Sequence, residues 1–129
     1  MGRRFYVAGF LFGLIAVIMG AFATHGLKPV LTPASLDSFE TGVRFQMYHS
    51  LLFILLGTMK PLSQRLSNWV FLLLLGGILL FSGSIYLLAT NSLTGFDFTT
   101  VALITPLGGS LLIGCWALLL ISFVKLKKK

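Results

Sequence analysis

Acidic residues are scarce in this sequence, and charged residues of any kind are few. Charged residues make up 10% of the 129 residues, with three acids against ten lysines and arginines, which gives a net charge of +7. A soluble domain carries roughly 25% charged residues, because water must wet its surface. With 57% hydrophobic residues, this chain lacks that polar surface, and its composition requires lipid as solvent.

Groups that carry chemistry are also scarce. Asp37, Glu40 and Asp97 are the only acids, Cys115 is the only cysteine, and there are two histidines. Two histidines are too few for a closed metal site, which takes four ligands. The sequence shows no paired carboxylates and no nucleophile with a base beside it, which are the usual signs of a catalytic site. We therefore predict that the protein is not an enzyme and holds no metal and no cofactor.

Four apolar stretches follow one another along the chain. They span about residues 5–24, 43–59, 69–90 and 101–124. A transmembrane helix needs about 20 apolar residues, so the first, third and fourth qualify directly. The second is short, and it gains length if Arg44 extends its side chain to the lipid headgroups. The predicted fold is an all-α integral membrane protein, a four-helix transmembrane bundle that forms a single membrane domain over residues 1–129.

The segment before the second stretch predicts a short amphipathic lead-in helix. Thr32 can cap its N-terminus, and Pro33 suits the first helical position. Leu36, Phe39 and Val43 fall on one face at helical spacing. We interpret this segment as a helix that lies partly in the membrane interface and runs into the second span.

Lysines and arginines flank the apolar stretches unequally. Eight of them fall in the terminal regions and the 60–68 connection, and two fall on the opposite side. The eight are Arg3, Arg4, Lys60, Arg65, Lys125, Lys127, Lys128 and Lys129, and the two are Lys28 and Arg44. Because basic loops stay in the cytoplasm, this bias predicts a multi-pass protein of the plasma (inner) membrane with both termini cytoplasmic. Flanking basic residues of this kind do not indicate binding to nucleic acid, which needs a basic face on a soluble module.

A cleaved signal peptide is the main alternative for the first stretch. Ala21, Phe22 and Ala23 form an A-x-A site after a basic start. The hydrophobic part of a signal peptide runs about 7–15 residues, however, and this stretch is longer. Cleavage would also leave three spans and weaken the charge bias. We therefore expect the first span to stay attached.

Small residues recur on one face of the first span. Gly9, Gly13, Ala16 and Gly20 lie at helical spacing, and such a face lets another helix approach closely. It suits packing within the bundle or a homodimer seam, and we favour the former. In the fourth span Pro106 predicts a kink near the outer end, because proline donates no hydrogen bond to the preceding turn.

Uncharged polar residues and histidines gather toward the outer side of the predicted membrane domain. The candidate outer polar cluster consists of His25, Gln46, His49, Tyr86 and Thr105. A polar ring has no partner in lipid, so His49 should turn into the bundle near the outer surface. We expect it to reach Gln46 on its own helix and His25 as its first partner, with Tyr86 next. The cluster is either a set of ties between helices or the lining of an outer vestibule.

Four strings resemble the signatures of a small membrane family. They are GAFATHGL at 20–27, FETGVRFQMYHSL at 39–51, GSIYLLA at 83–89 and TPLGG at 105–109. Together they are similar to the domain of unknown function 423 family, whose relatives include transmembrane protein 256. Ala23 replaces a usual glycine, and Phe45 replaces a usual tyrosine. The resemblance implies a four-helix inner-membrane protein and implies no activity, since the family has none assigned. Its motif residues correspond here to His25, Gly26, Gly42, Gln46, Tyr48, His49, Tyr86, Pro106 and Gly108.

Two functions fit these features. The first is a structural or accessory membrane protein that binds lipid, a partner membrane protein or a second copy of itself, and the lack of catalytic groups favours it. The second is a small transporter or channel component with an outer polar vestibule around His25, Gln46 and His49. Against the second, four short helices enclose little room.

Overall fold

The computed structural model describes residues 1–60, 63–94 and 99–126, which form helices and short connections with no strand among them. The α-helices are α1 (Arg3–Phe22), α2 (Pro33–Thr58), α3 (Gln64–Ala89) and α4 (Ile104–Val124). A π-helical turn at Ala23–Leu27 continues α1, and 3₁₀ turns at Asn91–Leu93 and Thr99–Leu103 lie between α3 and α4. The all-α prediction is confirmed.

Three helical segments are long and apolar enough to cross a membrane. They are Arg3–Leu27, Gln64–Ala89 and Val101–Val124, with mean hydropathies of 2.2 to 2.3. In the 18-residue apolar stretch of each segment, only 22% to 33% is buried inside the chain, so most of these apolar residues face outward. Such a surface requires lipid around it. The structure therefore has three helices that fit membrane spans, as a membrane protein requires.

Helix α2 begins where the sequence predicts a capped start. The Thr32 hydroxyl accepts a hydrogen bond from the Ser35 amide at 3.1 Å, and Pro33 is the first helical residue. The helix then runs without a break for 26 residues, the same length as α3. At about 1.5 Å per residue, α2 extends about 39 Å. It is less hydrophobic than the three segments above because it carries residues such as Gln46 and His49.

Neighbouring helices pack in chain order and antiparallel to one another. Helix α2 lies between α1 and α3, and α4 packs on α3. One buried apolar cluster includes Phe5, Phe53 and Leu74, and a second, smaller one includes Leu27 and Phe39 at the opposite end of the helices. Both clusters join at least three segments of the chain, so each stabilises the arrangement at its own end.

The small-residue face of α1 lies against α2 within the same chain. A Cβ added at Gly9 would lie 2.6 Å from Ile54 Cγ1 and 2.9 Å from the carbonyl oxygen of Ser50. A Cβ at Gly13 would contact the Ser50 hydroxyl at 3.4 Å, and one at Gly20 would contact Val43. Ala16, on the same face, is fully buried. The face therefore lets α1 and α2 approach closely along most of their length.

Pro106, predicted to kink the fourth span, lies at the start of a helix and not in its interior. Helix α4 begins at Ile104, so Pro106 lies in its first turn, where an amide has no intrahelical acceptor to lose. The chain instead changes from a 3₁₀ turn, Thr99–Leu103, to the α-helix just before the proline. Proline is thus accommodated at the helix start, where it breaks no hydrogen bond of the α-helix.

Candidate functional site

Gln46 of α2 connects three helices. Its side chain is 3% exposed. The amide Nε2 donates to the carbonyl oxygen of Phe12 on α1 at 2.8 Å, and Oε1 accepts from the Tyr86 hydroxyl on α3 at 2.6 Å. A buried amide that left these groups unpaired would cost free energy, so each hydrogen bond fixes the relative position of two helices.

A second hydrogen bond joins α2 and α3 one turn away. The Ser82 hydroxyl donates to the carbonyl oxygen of Gly42 at 2.8 Å, and the bond is buried. A Cβ at Gly42 would lie 2.9 Å from Cε1 of Tyr86 and 3.1 Å from Ile85 Cγ2. The absence of a side chain at Gly42 therefore brings α3 near enough for both Ser82 and Tyr86 to reach α2.

His49 is buried, and both of its ring nitrogens are engaged. Nδ1 lies 2.6 Å from the carbonyl oxygen of Phe45, and Nε2 lies 3.0 Å from the indole Nε1 of Trp116 on α4. An indole nitrogen only donates, so Nε2 must accept, and the ring proton must sit on Nδ1 and point to Phe45. His49 is therefore held as one neutral tautomer with no free donor or acceptor.

The expected partners of His49 are wrong, since its ring bonds to Trp116 and not to His25 or Tyr86. Trp116 lies twelve residues after the first residue of α4 and eight before its last, so the pair sits near the middle of that helix. Sequence reasoning overlooked Trp116 because it stands in a continuous apolar run. Its indole N–H was the available signal, because an N–H in an apolar environment needs an acceptor.

The groove beside this pair has a volume of 230 Å³ and lies among α2, α3 and α4. Its walls are Phe45, His49, Phe81, Gly109, Leu112, Ile113 and Trp116. The ring of Phe45 stacks on His49 with centroids 6.3 Å apart. The lining is aromatic and aliphatic apart from the histidine, whose polar atoms are already paired. This groove therefore offers apolar contact and no polar group for a ligand.

Thr105 takes part in a separate hydrogen bond, which joins α3 and α4. Its hydroxyl and that of Ser84 hydrogen-bond each other across α3 and α4, and Ser84 also donates to the carbonyl oxygen of Phe81 at 2.9 Å. His25 lies apart on the π-helical turn, where its side chain is exposed and forms no hydrogen bond within the described ranges. The five predicted residues thus do not form one cluster. Gln46 bonds to Tyr86, His49 bonds to Trp116, Thr105 bonds to Ser84, and His25 lies apart.

Buried polar groups are fully paired in this arrangement. Among residues 1–60, 63–94 and 99–126, no buried side-chain nitrogen or oxygen lacks a hydrogen-bond partner. In the same ranges, no group of three or more His, Cys, Asp or Glu residues lies close enough to hold a metal ion. The buried polar residues of the described ranges therefore use their hydrogen-bonding groups within the protein, and several of these bonds hold helices together.

Comparison with known proteins identifies the family. The family described as "Protein of unknown function (DUF423)" matches residues 19–109, a range that contains all four signature strings. No solved structure matches the chain significantly.

Bacterial relatives match over nearly the whole chain. A UPF0382 membrane protein of Staphylococcus haemolyticus is 36% identical over 123 residues, covering 95% of this chain and 97% of the relative. Another from Staphylococcus saprophyticus is 37% identical over 124 residues, covering 96% and 99%. The UPF0382 inner membrane protein YgdD of Escherichia coli is 36% identical over 122 residues, covering 91% and 86%. The chain therefore belongs to the DUF423 family of small membrane proteins.

Proposed function

We propose that this chain is a structural or accessory protein of the inner membrane. It is a four-helix bundle that binds lipid or a partner helix through the surface that faces the surrounding membrane. The observation that carries the proposal is the complete pairing of its buried polar side chains in the described ranges. A transport path needs polar groups that can exchange partners with a substrate or water. In this chain Gln46, Tyr86 and His49 are committed to bonds between helices or to the backbone.

The proposal includes α2 as the fourth span. Large side chains at Phe45, Tyr48, Leu51 and Leu55 form an exposed stripe on α2, each between 37% and 58% exposed. Such a stripe suits contact with lipid, while the polar residues Gln46 and His49 face inward. Because α2 packs antiparallel along both α1 and α3, it would cross the same layer as they do. The lead-in segment, residues 33–42, is then the outer part of this helix and lies at the membrane interface.

Loops rich in lysine and arginine stay in the cytoplasm. In the proposed orientation, both termini and the connection between α2 and α3 are therefore cytoplasmic. The eight-to-two bias in Lys and Arg supports this orientation. The connection between α1 and α2, with Lys28, then faces the periplasm or cell exterior. The E. coli relative is named an inner membrane protein, and we extend that location to this chain.

Cysteine labelling tests both the orientation and the role of the polar residues. In a Cys115→Ser background, single cysteines are placed at Ser38, Gln64 and Ser82, three positions outside the helix caps. Intact cells receive a membrane-impermeant thiol reagent. We expect labelling at Ser38→Cys alone, because Ser38 is exposed on the outer side, Gln64 is cytoplasmic, and Ser82 is buried beside Gly42.

Labelling of Gln64→Cys in intact cells, without Ser38→Cys, would invert the proposed orientation. Labelling of both would show that α2 does not cross. Strong labelling of Ser82→Cys would show that water reaches the polar residues, which is the result a vestibule requires. Permeabilised cells provide the control, since both Ser38→Cys and Gln64→Cys should then react.

A further inference from the structure

An apolar groove runs along the surface between α1 and α3 and ends at two arginines. Its volume is 540 Å³. Its walls are Arg3, Arg4, Val7, Ala8, Leu11, Phe12, Phe71 and Leu75. Val7 and Leu11 are at least half exposed, so the groove is open to its surroundings along one side. This shape matches an extended hydrocarbon chain with a charged group at one end.

Arg4 also borders a second, more polar cleft of 630 Å³. That cleft is lined by Met1, Gly2, Arg4, Gly57, Gln64 and Ser67. The two cavities therefore meet at Arg4, with hydrocarbon on one side and polar groups on the other. A phospholipid has the same division, with acyl chains below the phosphate and a polar headgroup above it.

The guanidinium of Arg4 is held in a fixed position. Nη2 donates to Asn68 Oδ1 at 2.6 Å and to the Ser67 hydroxyl at 3.3 Å. The guanidinium carbon also lies 4.9 Å from the centroid of the Phe71 ring. These contacts use Nη2 and leave Nη1 and Nε without a protein acceptor in the described ranges. A guanidinium oriented in this way can bind two phosphate oxygens at once.

Within the part of the chain that the structure describes, no carboxylate neutralises these arginines. Asp37 and Glu40 lie near the start of α2, at the opposite end of that helix from Gly57, which lines the cleft at Arg4. Arg3 is exposed and makes no hydrogen bond or ion pair to described residues. Two adjacent cations at the edge of an apolar groove thus lack an anionic partner among the described residues.

We propose that an anionic phospholipid of the cytoplasmic leaflet occupies this groove, with its phosphate at Arg3 and Arg4 and one acyl chain along Val7, Leu11 and Leu75. The inference rests on the proposed orientation, which places α1's N-terminus in the cytoplasm. A partner helix is the less suitable occupant, because it would have to bring its own carboxylate to the same depth. Lipid phosphates are already present at that level of the membrane.

Lipid titration by native mass spectrometry tests the proposal. Purified, delipidated protein is titrated with phosphatidylglycerol and, separately, with phosphatidylcholine. We expect one tightly bound phosphatidylglycerol per chain and weaker phosphatidylcholine. Arg4→Gln should weaken phosphatidylglycerol binding about tenfold, since a charge-assisted pair is lost. Arg4→Lys should fall between the two, because it keeps the charge and loses the two-point contact.

Two matched controls separate a specific site from general attraction to anionic lipid. Arg65→Gln removes a charge from the same side outside the groove, and it should leave binding within about twofold of the wild type. Val7→Trp fills the groove without changing charge and should also weaken binding, whereas Val17→Trp, exposed elsewhere on α1, should not.

Equal losses from Arg4→Gln and Arg65→Gln, or wild-type binding by Val7→Trp, would overturn the proposed site. Ser82→Ala distinguishes this result from a failure of the proposed structural role, because neither Ser82 nor its partner Gly42 lines the groove. A protein whose polar tie proves unimportant would still bind phosphatidylglycerol at Arg4. If a helix occupied the groove, the mass spectrum would show a bound protein and no bound lipid. That result would also overturn the proposed site.

Discussion

Replacing Gly108 with alanine should destabilise the protein more than any other single methyl addition in α4. An added Cβ would lie 2.3 Å from the backbone nitrogen of Phe81 and 2.7 Å from the carbonyl carbon of Leu80. Backbone atoms cannot rotate away as a side chain can, so α3 and α4 would have to separate. Overpacking of this kind costs roughly 1–3 kcal/mol, and a backbone clash belongs at the upper end. The free energy of unfolding in mixed micelles measures the effect.

Gly114→Ala is the matched control on the same helix. A Cβ at Gly114 meets no atom within 4 Å. Alanine is also the better helix former by about 0.8–1.0 kcal/mol, so this variant should be as stable as the wild type or slightly more stable. Equal stability of Gly108→Ala and the wild type would mean that α3 and α4 do not approach as closely as described.

Removing the Gln46 amide should have the largest effect among the polar substitutions. Gln46→Leu puts an apolar side chain of comparable size in place of the amide, leaves the Tyr86 hydroxyl without its acceptor and removes the bond to Phe12. A buried group left unpaired costs about 1–3 kcal/mol. We expect a loss of stability in that range, measured by unfolding in mixed micelles.

A double-mutant cycle with Tyr86→Phe isolates the bond between the two side chains. Once Gln46 is leucine, the Tyr86 hydroxyl no longer has its acceptor, so its removal should cost little or restore stability. Tyr48→Phe is the control, because Tyr48 is 54% exposed and its hydroxyl bonds to no described residue. Strict additivity of Gln46→Leu and Tyr86→Phe would contradict a direct bond between the two.

Much of the helical architecture follows from local features of the sequence. Thr32 followed by Pro33 predicts the start of α2, and the Thr32 hydroxyl accepts the expected capping bond. Uninterrupted hydropathy predicts the long apolar helices, because lipid exposure leaves apolar residues on every face. These features are readable because the cause and its effect lie within a few residues of each other.

Contacts between distant segments are harder to read. The partner of His49 is 67 residues away, and nothing in the sequence around Trp116 distinguishes it from a lipid-facing tryptophan. At Pro106 the residue type predicted a kink inside a helix. Because a 3₁₀ turn precedes Ile104, α4 begins there and Pro106 lies in its first turn. The polar residues were likewise predicted as one cluster because they share a membrane side, whereas helix packing separates them into ties.

The role of these ties also explains how so small a membrane protein holds a defined arrangement. Lipid solvates apolar side chains as well as other helices do, so apolar burial drives helix association weakly. Close approach at Gly42 and Gly108 increases packing contact, and the hydrogen bonds of Gln46 and Ser82 add directional constraints. Glycine and polar residues together therefore set which helix faces meet.

Exchange of the two tryptophan indole protons with water tests whether the bond between Trp116 and His49 is a structural tie that water does not reach. Both tryptophans are about half exposed, at 50% for Trp116 and 54% for Trp69, but Trp116 donates to His49 Nε2, whereas Trp69 forms no hydrogen bond in the described ranges. In protein labelled with ¹⁵N-tryptophan and transferred to D₂O, the Trp69 signal should vanish quickly and the Trp116 signal should persist. His49→Phe should then shift the Trp116 signal, because it removes the acceptor. Rapid exchange of Trp116, as fast as that of Trp69, would show that water reaches His49 and would contradict a structural tie.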